Sequence, residues 1–369
     1  MPLPRPLREL LSLPTAAFLE TSVLEYIERS CRGMAGVTCR HDRYGNLLAH
    51  YRHKAASAAP LAFVAHTDHP GFAAVKMLNG TTLVAEFRGG VRPEFFEGSG
   101  VRFWTSERWI RGRVVKLSKT LPPSGPGRPR VPKQAHIAVR QAVPPGTLGM
   151  WDLPGPALRG DRLSARACDD LAGVGAMLAL LQRLSRGQLR GEVYCLFTRA
   201  EEVGFVGAMG AIRARTIPKR VPVVSIETSS ALVNARIGDG PIIRVGDRAV
   251  IYSSQLDAFC TRVAQGIAAR RKSFTFQRKL MDGGMCEAAA FGVNGYATIG
   301  ICLALGNYHN MNVRRGKIAS EWVSYRDWQG MVDLFEALVL DEAGPAVRET
   351  SVKQRIDGIF EEHEALLNG

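Results

Sequence analysis

Apolar residues recur along the chain with two different periods, and the change of period divides it. Leu7, Leu10 and Leu11, then Phe18, Val23, Leu24 and Ile27, follow a helical repeat over residues 7–30, with Pro14 placed to break it in two. Tyr44-Gly45-Asn46-Leu47-Leu48-Ala49 reads as a turn leading into a strand. Residues 61–65 form a short apolar run suited to a buried strand, which stops at His66-Thr67-Asp68-His69-Pro70-Gly71. From about residue 75 to 159 the texture is different. Alternating segments at 83–87, 101–104 and 109–115 are separated by Pro/Gly clusters, notably at 122–127, and no long helical pattern appears. This predicts a small β-rich domain over 75–159, with an exposed basic loop near Arg128 to Lys133. After Gly160 helices and strands alternate: helices over 171–184, 208–215, 254–269, 322–340 and 351–367, strands over 193–198, 221–226 and 296–303. The expectation is an α/β domain built from 1–74 and 160–369, with a largely parallel or mixed sheet covered by helices and the β-rich block inserted into it.

Composition narrows the class. The chain has 369 residues, 46% hydrophobic and 22% charged, as in soluble globular proteins. It has no run of about 18 apolar residues, so no membrane span is expected. Arg5, Arg8, Glu9 and Glu20 interrupt the N-terminal apolar residues, which argues against a secretory signal. Seven cysteines without a CxxC pair point to free thiols and a cytoplasmic location. The net charge of +14 raises the question of an acidic partner. The densest basic stretches are 213–220 and 270–279, the second interleaved with Phe274 and Phe276. That alternation suits one face of a strand, with Arg271, Lys272, Arg278 and Lys279 solvated around it, and nucleic acid is not the expected partner.

Five segments place metal-ligating side chains just after predicted strands, where open α/β sheets build their sites. In His66-Thr67-Asp68, residues i and i+2 of an extended chain point the same way, so Asp68 can orient the ring of a ligating His66. Asp169-Asp170 precedes a helix: it is read either as a cap with a first-turn acid or with Asp169 bridging two cations. In Glu201-Glu202, the adjacent acids beside an apolar strand are explained if Glu202 ligates and Glu201 is a general base; a charged helix start is the other reading. Glu227 and His309 follow two further strands. Two histidines and three carboxylates make a complete two-metal inventory, with zinc the expected ion and cobalt the alternative. Tyr308 is a candidate oxyanion donor. Glu287 is a candidate for the substrate α-ammonium or, equally, a helix-start acid. His69 is read as a packing or supporting neighbour of Asp68.

In order along the chain, Tyr44-Gly45-Asn46-Leu47, His66-x-Asp68-x-x-Gly71-Phe72, Asp169-Asp170-x-x-Gly173, Glu201-Glu202-Val203-Gly204, Gly207-Ala208, Glu227, Ile237-Gly238-Asp239-Gly240-Pro241, Gly283-Gly284 and His309 resemble the co-catalytic di-zinc exopeptidases. The nearest likeness is to the tetrahedral, deblocking or glutamyl, aminopeptidase family. The resemblance implies a three-layer α/β/α catalytic domain carrying an inserted small β-barrel, and homo-oligomers formed with its help. It assigns one metal to His66, Asp169 and Glu227 and the other to Asp169, Glu202 and His309, with Asp68 orienting His66 and Glu201 as base. It also implies a cis peptide between Asp169 and Asp170. The chain departs from the family pattern at His69 (usually Glu), Leu171 (usually Arg), Glu227 (more often Asp) and Gly283-Gly284-Met285-Cys286-Glu287-Ala288 (usually Gly-Gly-Thr-Asp-Ala). An aminopeptidase acting on peptides is therefore the expected function. The alternatives are a related di-zinc amidohydrolase that grips a substrate carboxylate through Arg or Asn, and a silent binding protein on the same scaffold.

Overall fold

The computed structural model describes residues 3–56, 58–122, 130–345 and 350–367. The strands are β1 Val37–His41, β2 Leu47–Arg52, β3 Leu61–His66, β4 Gly71–Asn79, β5 Thr82–Arg88, β6 Gly100–Trp104, β7 Trp109–Leu121, β8 Val131–Val139, β9 Leu148–Trp151, β10 Ala157–Arg159, β11 Arg162–Ala165, β12 Glu192–Thr198, β13 Val223–Ser230, β14 Ile242–Asp247, β15 Gln277–Met281, β16 Thr298–Leu305, β17 Met311–Asn312, β18 Lys317–Ile318 and β19 Glu321–Ser324. The helices are α1 Arg5–Ser12, α2 Thr21–Cys31, α3 Leu171–Gly187, α4 Val206–Ala214, α5 Ser254–Arg270, α6 Glu287–Val293, α7 Tyr325–Leu340 and α8 Thr350–Leu367.

Eight strands form the main sheet in the order β1-β2-β12-β3-β13-β16-β14-β15. Its centre is parallel, with β3 between β12 and β13, and β13 beside β16. Every residue of β3 and β16 is buried, which is why both read as uninterrupted apolar runs. Leucines and alanines of α3, with α1, α2, α5 and α7, cover one face in a single core. Ala208 and Ala211 of α4 and Phe291 of α6 pack on the other. The result is a three-layer α/β/α body.

The insert closes into a barrel in the order β4-β5-β8-β7-β6-β9. Its core is aromatic: Phe72, Phe87, Phe96 and Trp151 meet edge to face or tilted, with Phe72 and Trp151 ring centroids 4.9 Å apart. Such contacts add to the area they bury. Met311 and Ile318 of the body pack against this core, so the barrel rests on the segment that follows His309.

Some local expectations differ from the structure. The helix expected over 322–340 is a strand, β19, followed by α7. Trp322 and Val323 pair with β11, and the Ser324 side chain accepts the Asp327 N–H, an N-cap that starts the helix late. Phe274 and Phe276 precede β15 rather than alternating within it; their rings stack at 6.4 Å and Phe274 is buried. Arg271 and Arg278 around them pair with Asp333 and Asp257. Phe18 is outside both N-terminal helices, exposed, with φ 68°. Most of the 122–127 cluster, and Arg128 of the expected basic loop, lie outside the described residues; from Val131 the chain is already strand. All seven cysteines are free. Among the described residues no helix is long and apolar enough to cross a membrane.

Candidate metal centre

The parallel centre of the sheet delivers the predicted residues to one place. His66 ends β3, Glu201 and Glu202 follow β12, Glu227 projects from β13, and His309 follows β16. Asp169 stands immediately before α3, and its peptide to Asp170 is cis.

His66 Nε2 lies 3.3 Å from Asp169 Oδ1 and 3.7 Å from Glu227 Oε1. His309 Nε2 lies 3.5 Å from Asp169 Oδ2 and 3.3 Å from Glu202 Oε2. In each trio, His66–Asp169–Glu227 and Asp169–Glu202–His309, one donor atom per residue falls within 4.8 Å of the others. Asp169 therefore turns a different oxygen toward each trio. Imidazole nitrogen with carboxylate oxygen is a donor set that suits zinc.

The ring tautomers agree with this. His66 Nδ1 faces the Asp68 carbonyl oxygen at 3.2 Å, and His309 Nδ1 faces the Gly90 carbonyl oxygen at 2.7 Å. Each Nδ1–H can donate outward, leaving the Nε2 lone pair for the site. The Asp68 carboxylate acts mainly elsewhere. Its two oxygens accept the backbone N–H groups of Glu201 (2.9 Å) and Glu202 (3.1 Å), while the nearer one is 3.6 Å from the His66 ring. It fixes the turn that carries the two glutamates.

The electrostatics describe carboxylates that need cations. Burial, then repulsion from neighbouring acids (Glu227 and Glu287 for the first, Asp169 for the second), pushes the Glu201 and Glu202 carboxyls well above the ordinary range. Burial, with Asp169 close by, pushes Glu227 up to about 8. Burial would raise Asp169 too, but the His309 and His66 rings hold it well below the usual value. Glu202 Oε1 is buried without a hydrogen-bond partner. A buried polar atom with no partner, beside crowded acids, fits a bound divalent cation.

The two readings of the Asp pair divide between its members. Asp169 faces the trios, whereas Asp170 caps α3 by accepting the Gly173 N–H at 3.3 Å. Tyr308 lines the cavity and its ring stacks on His309 at 3.7 Å. Glu287 stands apart: it is buried, its Oε2 accepts from Thr198 Oγ1 at 2.9 Å, and it is not on the cavity wall. Burial pushes its carboxyl up to about 7. His69 is buried, with Nδ1 2.6 Å from the Asp169 carbonyl oxygen and Nε2 2.9 Å from Asn310 Oδ1.

Sequence reasoning missed two buried acids. Glu321 Oε2 accepts the Asp169 N–H at 3.0 Å, fixing the backbone of the shared aspartate from behind. Glu20 accepts the N–H of Ala200 at 3.0 Å and the Nε–H of Arg199 at 2.8 Å, bracing the same turn as Asp68. Neither lies in a recognisable motif.

A cavity of about 300 Å³ opens over the trios. Glu201, Glu227, Tyr308 and His309 line it together with Leu232, Arg244, Met281 and Met285.

An α/β/α body, a barrel insert and two histidine–carboxylate trios sharing an aspartate define a metallopeptidase-like class. Residues 45–317 match the profile of the M42 glutamyl aminopeptidase family, and the chain belongs to that family. A curated protein of Acetivibrio thermocellus named as an aminopeptidase is 26% identical over 131 residues, 34% of this chain. That match spans only 38% of the relative's length. Among solved structures, the TET aminopeptidase of a marine-sediment Thaumarchaeota archaeon superposes with TM-score 0.75 at 18% identity, covering 91% of this chain and 96% of that one. The TET1 peptidase of Pyrococcus horikoshii, described as assembling into a tetrahedron or a large octahedral shell, gives 0.73 at 21% identity, covering 91% and 98%. These two share the fold.

Proposed function

We propose that the chain is a di-metal aminopeptidase that removes N-terminal residues from peptides. The observation that carries this reading is Asp169, which presents Oδ1 to His66 and Oδ2 to His309 at 3.3 and 3.5 Å. His66, Asp169 and Glu227 would hold one divalent cation, and Asp169, Glu202 and His309 the other, zinc or cobalt. Two such ions supply Lewis-acid polarisation of the scissile carbonyl and make water acidic enough to attack at neutral pH. Glu201 takes the proton of the attacking water and passes it to the leaving amine. Tyr308, a phenol that keeps its proton at neutral pH, donates to the developing oxyanion. Asp68 holds Glu201 and Glu202 in place through their backbone N–H groups.

The free cysteines accord with a cytoplasmic enzyme. Assembly of like chains, with the barrel insert contributing, extends to this protein the self-assembly described for the TET1 peptidase. Arg244 puts a cation on the cavity wall, which favours a substrate whose first side chain is acidic.

The test is metal content per chain, with Glu202→Ala and His309→Ala alongside, and a panel of aminoacyl, N-acyl and peptide substrates. About two ions per chain, fewer in both variants, with release of N-terminal residues, supports the reading. Cleavage of N-acyl amino acids alone would replace it with the amidohydrolase. Absence of metal after zinc is added back would leave a binding protein on a peptidase scaffold.

A further inference from the structure

A second cavity, of about 520 Å³, opens beside the segment that carries His309. Arg162, Asn307, Asn312, Arg314 and Arg315 line it, and none of its lining residues is acidic. Arg314 and Arg315 sit in the turn between β17 and β18, and that turn is held by Asn312 Oδ1, which accepts the Arg315 N–H at 3.0 Å. Among the described residues neither guanidinium forms an ion pair. The Arg162 guanidinium lies 4.4 Å over the Trp322 ring and its Nε donates to Ser164 Oγ, which fixes its plane and leaves its two Nη groups as donors. Asn312 spends its oxygen on the turn and keeps its Nδ2 as a donor. The cavity is thus a concave set of donors with no counter-charge.

Its position relates it to the metal centre. Asn307 lines this cavity, and the next residue, Tyr308, lines the catalytic one. The two cavities are thus lined by consecutive residues of one segment.

We propose that the Arg162–Arg314–Arg315 cavity binds a carboxylate, the C-terminal one of a short peptide whose first residue lies in the catalytic cavity. The inference rests on the aminopeptidase reading and narrows its substrates to short peptides with a free C-terminus. A planar carboxylate matches the fork of an arginine, and charge-assisted bonds of this kind are stronger than neutral ones.

The experiment compares matched tri- and tetrapeptides, as free acid and as C-terminal amide, on the zinc-loaded full chain. The variants are R314E, R315E and, as a control for net charge, R190E, an exposed arginine between α3 and β12. The free acid should be preferred over the amide by about tenfold in kcat/KM, expressed in KM. That ratio should fall to about one in R314E and R315E and persist in R190E. Inorganic phosphate should raise KM for the acid and not for the amide if the pocket takes any small anion; if it does neither, the pocket is fitted to the peptide carboxylate. Equal rates for acid and amide in the wild-type protein would overturn the proposal while leaving the aminopeptidase intact. Should no peptide be cleaved, the aminopeptidase reading fails, and calorimetry with the same peptide pair still reads the cavity: tighter binding of the acid, lost in R314E, supports it, and equal binding overturns it.

Discussion

The carbonyl oxygen of Gly90 lies 2.7 Å from Nδ1 of His309, so the backbone of the insert orients a ring of the metal centre on the body. Partners of this kind fix the tautomer of a ligating histidine, and their loss weakens metal binding by roughly 10–100-fold. A Cβ at position 90 would stand 3.4 Å from the His309 ring, ordinary contact, whereas γ carbons would press on it. Gly90→Val should therefore lower the affinity of the Glu202–His309 site by about tenfold or more, with Gly90→Ala nearly neutral. Zinc retention against a graded chelator measures this. Equal retention in Gly90→Val and wild type would mean that the barrel does not hold the ring.

Asp68 should matter more for the glutamate turn than for His66. Replacing it with Ala leaves the Glu201 and Glu202 N–H groups without their acceptors, and each such buried donor costs about 1–3 kcal/mol. We expect Asp68→Ala to lose at least ~100-fold in kcat and to melt several degrees lower. Asp68→Asn keeps one acceptor oxygen and should fall between. A variant with full turnover would contradict the assignment.

Glu201→Gln tests the base separately from the metals. The amide keeps the shape and the backbone bonds to Asp68 but cannot take a proton. Turnover should drop by about 10²–10⁴-fold with metal content unchanged. Loss of metal in this variant would move Glu201 from base to ligand, a role its place near His66 and Glu202 also allows.

The proposed ligands were legible from sequence chiefly because His66, Glu202 and His309 come at or after the ends of separate strands and Glu227 lies in another, and buried strands are conspicuous as apolar runs. His66 after 61–65 and Glu201-Glu202 after 193–198 are of this kind. Asp170 shows that local physics and site chemistry were both present in one dipeptide. Glu321 and Gly90 were not legible. Glu321 lies in a four-residue strand whose apolar neighbours Trp322 and Val323 merge with the periodicity of α7, so it reads as a residue just before a helix rather than as a strand residue. Gly90 acts through its carbonyl oxygen, which every residue carries; only the fold brings it to His309. The exposure of Phe18 was equally hidden, since its spacing continues a helical repeat that the backbone abandons.

The metal-free protein should lose stability as pH rises. The Glu227 carboxyl is pushed from 4.5 up to about 8. Between these values the unfolded chain has released the proton that the folded chain retains, so unfolding releases a proton and stability falls with rising pH. This contribution is on the order of 5 kcal/mol across the window. His66, whose pKa the surrounding acids hold well above normal, acts in the same direction as pH passes its raised value. Asp169, held low, gives a contribution already complete above the ordinary carboxylate range. Thermal melts of chelated protein between pH 5 and 8 should fall steadily, and zinc should remove the trend while releasing protons on binding. A flat profile without metal would show that these acids are not crowded as described.

Arg244 decides the last question, which first residue the cavity prefers. Its Nη groups donate to Ser229 Oγ and the carbonyl oxygens of Met281 and Gly284, so the cation shapes the cavity wall as well as charging it. Its Nε is buried without a partner. A glutamate side chain in the cavity would meet the positive charge of Arg244 on its wall, whereas a leucine would meet only Leu232, Met281 and Met285. Glutamyl over leucyl p-nitroanilide is the expected preference, and Arg244→Met should shift that ratio toward leucine by about tenfold or more, since a charged hydrogen bond is worth roughly 1.5–3 kcal/mol. Loss of both activities together would assign Arg244 to holding the 281–284 loop. A leucyl preference already present in the wild-type protein would mean that the three apolar side chains, and not the arginine, select the substrate.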